Sequence, residues 1–388
     1  LYGHLSSVSI LRLKTGHRVL RGDQIGTIGT TAENGNWSPH LHFQIMLSLL
    51  NYKNDFPGVA YRNEKHCWES ICPDPNLIFK TAGLDIPEKD QVIQILKSRK
   101  QYLGKGMSLQ YEKPLHIVRG AGVHLVDEDG RAYLDTVNNV AHVGHEHPRV
   151  VNSGQKQMGL LNTNSRYLHK NITNLAQKLK GTLPAELSVF HFVNSGSEAN
   201  ELALRMVKAA TGSSQMLVSK VGYHGNTNGC IEISSYKFDG KGGRGASSHI
   251  HVFPMPDAFR GKYRGEDTTK DYSNEVHLLI KQLKSNEKKL GGFIIEPILS
   301  CGGQVELPEG FLKSVYPLVR KEGGLCISDE VQTGCGRMGK TFWGFELHGV
   351  IPDIITIGKP LGNGHPVAAV VCTEEVAKKF ANGMEFFN

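Results

Sequence analysis

The sequence predicts an α/β protein, with a mainly parallel sheet covered by helices on both faces, preceded by a small all-β segment. Two observations support this fold class. From about residue 120, apolar runs of strand length alternate with amphipathic helical patterns, as in βαβ units. Before that point, residues 1–46 contain short β-type runs separated by Gly, Thr and Asn. We expect one region over residues 1–82 and a second over residues 83–388.

The first region is predicted to form a small antiparallel sheet followed by a linker. Its β-type runs, bounded by turn residues, are VSILRL, HRVL, IGTIG and HLHFQI. Residues 47–82 contain Pro57, Pro73 and Pro75 and lack a clear period, which is typical of a linker. The stretch IPEKDQVIQILKSRKQYLG at residues 86–104 then predicts one charged amphipathic helix.

The second region is predicted to form strands that are followed by polar residues. The apolar run LSVFHFV precedes the helical pattern SEANELALRMVKAA, and GGFIIEP precedes the helical pattern FLKSVYPLVRKEG. Asp329 follows the run LCIS, and Lys359 follows the run DIITI. Asp and Lys are seldom buried without a partner. We therefore expect either a pair between them or a ligand that needs both.

Composition limits the classes of function. The 388 residues are 39% hydrophobic and 21% charged, with a formal charge of +7 from scattered Lys and Arg, so we expect neither nucleic acid nor membrane as partner. The seven Cys residues show no metal-type cluster, which favours a reducing compartment such as the cytoplasm. The chain starts within a strand-like run and stops without a closing element. We expect it to be part of a longer protein, whose upstream signal, if any, would not be visible.

The stretch Asn194-Ser195-Gly196-Ser197 has the composition of an anion cradle. It lies between an apolar strand and a helix, where free N–H groups, two hydroxyls and a glycine suit a phosphate. An ordinary helix N-cap explains this stretch alone equally well. The spacing and the lysine of a nucleotide P-loop are missing.

A second set of residues makes the cradle more specific. Tyr223 and His224 lie in the Gly-flanked loop GYHGNT, and they join Asp329 and Lys359 at predicted carboxyl ends of strands, where open parallel sheets bind ligands. A phosphorylated aromatic cofactor with a basic ring nitrogen would use all of these groups. The cradle would bind its phosphate, an aromatic ring would stack on it, and Asp329 would keep the nitrogen protonated. Lys359 would form a Schiff base with its aldehyde, which is pyridoxal phosphate chemistry.

Four ordered segments carry a family resemblance. NSGSEAN, YHGNT, DEVQTGCGR and GKPLGNGHP resemble the marker segments of class III pyridoxal-phosphate aminotransferases, which have fold type I and form homodimers. The resemblance implies that the large domain of this fold covers residues 83–388, with a small C-terminal domain to follow. The cofactor-binding residues that it implies are Ser195, Gly196, Ser197, Tyr223, His224, Asp329, Gln332 and Lys359. Glu296 in IIEP matches an acid that lies near the substrate in this class, and Asp329 and Lys359 are the implied catalytic residues.

Within the class, the chain is most similar to ethanolamine-phosphate and phosphohydroxylysine phospho-lyases. The segments that carry this likeness are NNVAHVGHEHPRVV, LNTNSRYLH, IEISSYKF, FRGKYRGED, SCGGQ and GKPLGNGHPVAAVV. The implied substrate is a phosphorylated amine or amino acid, from which Lys359 removes the α-proton before phosphate leaves. Candidate cations for its phosphate are Arg166, Lys237, Arg260, Lys262 and Arg264. Leu299 and the lead-in SKVGYHGN depart from the usual pattern, and an ω-amine:keto-acid transaminase is the alternative on the same fold.

The first region has its own resemblance. YGHLSS, VLRGDQIGTIGTT and SPHLHFQI resemble the C-terminal half of a lysostaphin-type zinc peptidase domain. The resemblance implies that His42 is a zinc ligand, with His40 and His4 as catalytic histidines, and residues two apart in a strand share a face. The other implied ligands, a His and an Asp, belong upstream of Leu1, so we expect zinc only in the complete domain. A zinc metallopeptidase or a wall-binding module carried by residues 1–82 is the hypothesis from another class.

Overall fold

The computed structural model describes residues 2–14, 16–20, 22–49, 52, 65–79, 90–109 and 111–383. The chain forms two compact units, Leu1–Leu134 and Asp135–Asn388. The predicted division after residue 82 lies outside the described residues and stays a prediction. No helix in the described part of the chain is long and apolar enough to cross a membrane.

The N-terminal unit begins with a short antiparallel pair of strands. Strand β1 (Tyr2–Gly3) pairs with β2 (His42–Phe43), and helix α1 (Ser7–Ile10) lies between them in sequence. The expected strand over VSILRL is therefore wrong. Its first residues form a helical turn because the Ser6 carbonyl accepts from both the backbone N–H (3.0 Å) and the hydroxyl (2.8 Å) of Ser9. Such local serine bonds compete with strand pairing.

Three helices and a second sheet complete this unit. The helices are α2 (Lys65–Ile71), α3 (Asn76–Phe79) and α4 (Asp90–Tyr102). Helix α4 confirms the predicted amphipathic helix; residues 86–89 of that prediction lie outside the described residues. The antiparallel sheet contains β3 (Ile117–Ala121), β4 (His124–Asp127) and β5 (Ala132–Leu134).

The C-terminal unit is built on a seven-stranded sheet. Its strands are β6 (Leu187–Val193), β7 (Gln215–Ser219), β8 (Ile250–Phe253), β9 (Leu290–Ile295), β12 (Leu325–Asp329), β13 (Ile354–Ile357) and β14 (Ala368–Thr373). Their order is β6-β14-β13-β12-β9-β7-β8, and all run parallel except β14, which is antiparallel to both neighbours. The short strands β10 (Ile298–Leu299) and β11 (Val305–Glu306) form a separate hairpin. The predicted mainly parallel sheet is confirmed.

Helices pack on both faces of this sheet. The helices of this unit are α5 (Pro148–Met158), α6 (Lys170–Lys180), α7 (Gly196–Thr211), α8 (Asn228–Glu232), α9 (Ser235–Phe238), α10 (Thr268–Ser285), α11 (Phe311–Lys321) and α12 (Glu374–Phe380). Successive residues of a strand point to opposite faces. In β9, Ile294 packs in one buried cluster with Leu202 and Met206 of α7, whereas Phe293 packs in another with Val315 of α11. The two cores therefore lie on opposite sides of β9.

Candidate active site

The carboxyl ends of five parallel strands deliver the predicted site residues to one edge of the sheet. Strand β6 leads to the 194–197 cradle, β7 leads to Tyr223, and β9 leads to Glu296. Asp329 is the last residue of β12, and Lys359 follows β13 by two positions. Parallel strands place these ends side by side, so residues as far apart in sequence as Ser195 and Lys359 line one cleft.

The cradle is a helix N-terminus with a capping box. The Ser195 hydroxyl oxygen accepts from the Glu198 backbone N–H (3.1 Å), and the Glu198 carboxylate accepts from the Ser195 backbone N–H (3.1 Å). The N-cap interpretation is therefore correct, and it is compatible with an anion site because the Ser195 hydroxyl hydrogen and the N–H groups of Gly196 and Ser197 remain for a ligand. A Cβ at Gly196 would lie 2.7 Å from Val331 Cγ1, so only glycine allows the loop after β12 to approach the cradle.

The aromatic loop packs against this cradle. Gly225 has φ +131°, and a Cβ there would lie 2.6 Å from Ser197 Oγ. The Asn226 backbone N–H donates to the same oxygen at 3.1 Å. Tyr223 is half-buried, and burial raises the pKa of its phenol above the ordinary value, so its ring meets the cleft in neutral form. Lys237 Nζ lies 5.7 Å from the centre of that ring, within the range of a cation–π contact.

Asp329 is buried and tightly oriented. Only 3% of its surface is exposed. Its Oδ2 accepts from Asn200 Nδ2 (2.8 Å) and lies 2.7 Å from His224 Nδ1, while Oδ1 accepts from the Val331 backbone N–H (3.1 Å). Asn200 was not predicted as a site residue. The sequence feature that could have indicated it is an amide side chain on a helix face whose neighbours Ala199 and Leu202 are buried and apolar.

Lys359 occupies a strained backbone position. Its φ is +31°, which residues with a Cβ rarely adopt, and such strain is characteristic of functional sites. A Cβ on the preceding Gly358 would lie 3.2 Å from Gly196 Cα, so the lysine loop and the cradle are in close contact. Lys359 itself is half-buried and lines the cleft.

A chain of hydrogen bonds links Gln332 to Glu296. Asn139 Nδ2 donates to Gln332 Oε1 (2.6 Å), and Gln332 Nε2 donates to Ser300 Oγ (2.6 Å). The Ser300 hydroxyl then donates to Glu296 Oε1. Burial, reinforced by the negative charge of Asp329, raises the pKa of Glu296 to about 7. Asn139 and Ser300 lie in segments that carried the phospho-lyase resemblance, but neither was predicted as a site residue.

The cleft that these residues enclose has a volume of about 210 Å³. Its lining includes all predicted cofactor-binding residues and Glu296, together with Asn200, Gly225 and Val331. These groups fit pyridoxal phosphate: an anion cradle that a Cβ would fill, an aromatic face, a buried acid for a ring nitrogen and a lysine. His224 Nε2 and Asn200 Oδ1 are buried and have no hydrogen-bond partner among the described residues.

The predicted substrate cations do not line this cleft. Arg166 is exposed, Lys262 Nζ contacts Glu275 Oε1 at 2.5 Å, and Arg264 Nε donates to the Gly261 carbonyl at 3.2 Å. Their role in binding a substrate phosphate stays a prediction.

The three predicted peptidase-type histidines lie together in the N-terminal unit. The His4 ring centre is 4.6 Å from that of His40 and 5.8 Å from that of His42. His40 precedes β2 instead of lying in it, and its Nδ1 lies 2.6 Å from the Ser38 carbonyl. In the described residues, no group of three or more His, Cys, Asp or Glu side chains is placed to hold a metal ion. Zinc ligation by His42 and catalytic roles for His4 and His40 stay predictions.

The parallel sheet and its cleft define a fold type I transferase of the kind that uses pyridoxal phosphate. Residues 107–385 match the family model "Aminotransferase class-III", so the chain belongs to the class III aminotransferase family. Residues 1–54 match "Peptidase family M23". Both resemblances found in the sequence are confirmed.

Curated relatives carry names of two kinds. The chain is 44% identical over 319 residues to "Alanine--glyoxylate aminotransferase 2-like" of Drosophila melanogaster, covering 80% of this chain and 65% of that protein. It is 38% identical over 321 residues to "Ethanolamine-phosphate phospho-lyase homolog 1" of Caenorhabditis elegans, covering 79% and 68%. The chain thus spans about two thirds of the length of these relatives.

Solved structures show the same division. A phospholyase from Arthrobacter in complex with phosphoethanolamine is 37% identical with a TM-score of 0.71, covering 76% of this chain and 69% of that one. An (S)-enantioselective omega-transaminase from Thermomicrobium roseum is 26% identical with a TM-score of 0.67, again covering 76% and 69%. The fold is therefore shared by lyases and transaminases.

Proposed function

We propose that the protein is a pyridoxal-phosphate-dependent phospho-lyase that acts on a phosphorylated amine of the ethanolamine phosphate or phosphohydroxylysine type. The observation that carries this proposal is the convergence of cradle, aromatic ring, buried acid and lysine in one cleft of a class III chain. The likeness to a phospholyase structure that holds phosphoethanolamine favours elimination over amino transfer.

The chain's own residues would hold the cofactor by its two ends. Ser195, Gly196 and Ser197 bind its phosphate at the N-terminus of α7, where the helix dipole favours an anion. At the other end, Asp329 keeps a proton on the ring nitrogen, and Asn200 and His224 fix the carboxylate that does so. When bound, pyridoxal phosphate supplies an aldehyde that joins the substrate amine and a protonated ring that accepts electrons from the α-carbon.

Lys359 moves the proton that starts the elimination. Its Nζ takes the proton from the carbon that bears the amine, and the bonding pair forms a double bond to the next carbon. The bond from that carbon to the ester oxygen breaks, and its electron pair leaves with the phosphate. Water then converts the unsaturated amine into an aldehyde and ammonia, so the products are aldehyde, ammonia and phosphate in equal amounts.

An ω-amine:keto-acid transaminase is the second candidate on the same site. The Drosophila relative named as an aminotransferase and the omega-transaminase structure favour it. Both reactions need Lys359 and Asp329, so these residues do not discriminate between them. We further propose that the protein is a homodimer located in the cytoplasm, and that zinc binds only to a complete M23-type domain.

Phosphate release without a keto acid discriminates between the two candidates. The full-length protein with pyridoxal phosphate is incubated with ethanolamine phosphate, and phosphate, ammonia and acetaldehyde are measured. The proposal predicts equal amounts of all three, and none from Lys359→Ala. In a parallel incubation with glyoxylate or pyruvate added, amino transfer to the keto acid with no phosphate released would instead establish the transaminase.

A further inference from the structure

The cleft lining offers a single lysine to a substrate that carries a phosphate of its own. Among the described residues that line the cleft, Lys359 is the one Lys or Arg, and it is needed at the carbon that loses a proton. The 194–197 cradle is assigned to the cofactor phosphate, and the buried carboxylate of Asp329 adds negative charge. The phosphate of the substrate therefore needs a cation from just outside this lining.

Lys237 lies directly behind the aromatic wall of the cleft. It is the third residue of α9, and its side chain is half-buried. Its Nζ lies 5.7 Å from the centre of the Tyr223 ring, which lines the cleft. The Lys237 ammonium has no hydrogen bond or ion pair with the described residues. A half-buried ammonium without a carboxylate partner is available to an anionic ligand.

The position of Lys237 is fixed by hydrogen bonds between α9 and the aromatic loop. The buried Ser234 Oγ accepts from the His224 backbone N–H at 2.9 Å. The buried Ser235 Oγ accepts from the Val221 backbone N–H. Because these bonds join α9 to both sides of Tyr223, the helix that carries Lys237 and the ring that lines the cleft are held as one piece.

The thiol of Cys301 shows that Lys237 is close to Lys359. Burial, reinforced by the charge of Glu296, raises the pKa of this thiol above its ordinary value, and the positive charges of Lys359 and Lys237 oppose that rise. Cys301 therefore lies within electrostatic range of both ammonium groups. The phosphate of a small phosphorylated amine is only a few bonds from the carbon that reacts at Lys359, so its cation must lie in this vicinity.

The other predicted cations are placed less favourably. Lys262 contacts a carboxylate, and Arg264 donates to a backbone carbonyl. Arg166 and Arg260 are exposed. Of the five predicted cations, Lys237 is thus the one with an observed contact to the described cleft lining.

We propose that Lys237 binds the phosphate of the substrate and makes the protein select phosphorylated over unphosphorylated amines. The proposal rests on the phospho-lyase function. When substrate enters, the ammonium exchanges the face of the Tyr223 ring for a charge-assisted hydrogen bond to a phosphate oxygen. That bond is the stronger of the two contacts at a half-exposed site. Lys237 takes no proton and breaks no bond, so its contribution is to affinity and selectivity.

The test compares two amines that cannot lose phosphate. In 3-aminopropylphosphonate a carbon replaces the ester oxygen of ethanolamine phosphate, and propylamine lacks the phosphonate altogether. The full-length protein loaded with pyridoxal phosphate is titrated with each, and the change in cofactor absorbance gives the dissociation constants. We expect Lys237→Met, which keeps the length of the side chain but not its charge, to bind the phosphonate about ten- to a hundredfold more weakly. Its affinity for propylamine should equal that of the wild type.

Two variants serve as controls. Lys237→Arg keeps the positive charge and should retain most of the phosphonate affinity. Lys241→Met removes an exposed lysine four positions further along the chain and should bind both amines as the wild type does.

The outcomes separate phosphate binding from a structural role. Equal weakening of both amines by Lys237→Met would mean that Lys237 only supports Tyr223, and it would overturn the proposal, as would an unchanged phosphonate affinity. Phosphate release from ethanolamine phosphate by the wild type is measured alongside. If phosphonate binding depends on Lys237 but the wild type releases no phosphate, the lyase function fails while Lys237 keeps its assigned role.

Discussion

Glu330 should be a main determinant of the stability of the C-terminal unit. Its carboxylate is fully buried and accepts four hydrogen bonds. Oε1 accepts from Ser328 Oγ (3.0 Å) and the Phe345 N–H (2.8 Å), and Oε2 accepts from Thr333 Oγ1 (2.8 Å) and the Gly344 N–H (2.7 Å). These bonds tie the segment after β12 to the segment around Phe345.

Glu330→Gln should destabilise this unit because an amide cannot accept at both ends. Whichever way the amide turns, its NH₂ faces one hydroxyl, which can rotate to accept, and one backbone N–H, which cannot. One buried N–H then loses its partner, at about 1–3 kcal/mol. The remaining bonds also lose the strength that the charge gave them, about 1 kcal/mol or more in total. The expected loss in the free energy of unfolding is therefore about 2–4 kcal/mol.

Chemical denaturation monitored by tryptophan fluorescence measures this loss, because Trp343 is fully buried next to the segment concerned. Thermal unfolding should show a midpoint lower by roughly 10 °C. Glu309→Gln, at an exposed acid in the same unit, should change neither quantity. A loss below about 1 kcal/mol for Glu330→Gln would refute the assigned hydrogen bonds, because an unsatisfied buried N–H alone costs that much.

Three further predictions concern the cleft. In Gly196→Ala the new Cβ would lie 2.7 Å from Val331 Cγ1. A fluorescence titration should show pyridoxal phosphate binding weakened by about ten- to a hundredfold, which is the equivalent of one lost hydrogen bond to a charged group. The control Gly159→Ala, whose Cβ meets nothing closer than 3.5 Å, should bind the cofactor as the wild type does. Asp329→Asn should retain the absorbance of bound cofactor but lose turnover by orders of magnitude. Near-normal turnover would mean that another group keeps the ring nitrogen protonated. Glu296 has a folded-state pKa of about 7 against an ordinary 4.5, so its contribution to stability is full below pH 4.5 and is lost as pH rises through about 7. Between these pH values the wild type should lose roughly 3 kcal/mol more than Glu296→Gln in denaturant titrations, and parallel pH profiles would contradict the assigned pKa.

The sequence predicted the site better than the contacts that organise it. Asp329 and Lys359 were predictable because each ends an apolar run, and parallel strands bring such ends together. Asn200, Asn139 and Ser300 were not, because a single amide or hydroxyl has many uses, and only the fold brings Asn139 within 2.6 Å of Gln332. The strained φ of Lys359 has no signature in the residue type.

The N-terminal unit was harder to predict for a different reason. VSILRL is apolar and β-branched enough to suggest a strand, but the Ser9 hydroxyl donates to the nearby Ser6 carbonyl and favours a helical turn. Strand β14 gave no sign that it would run antiparallel to its neighbours, because burial on both faces makes it uniformly apolar whatever its direction. The hydrophobic pattern of a sequence indicates burial and secondary-structure period. It says little about the direction of a strand or about side-chain hydrogen bonds that compete with strand pairing.

The most direct test of the central claim is to locate the lysine that binds the cofactor. The full-length protein is mixed with pyridoxal phosphate, reduced with borohydride and digested, and the peptides are weighed by mass spectrometry. The cleft geometry predicts that the phosphopyridoxyl group is attached to Lys359 and that Lys359→Ala carries no stoichiometric label. A label of equal yield on another lysine, such as Lys237 beside Tyr223, or on Lys359→Ala, would contradict the account.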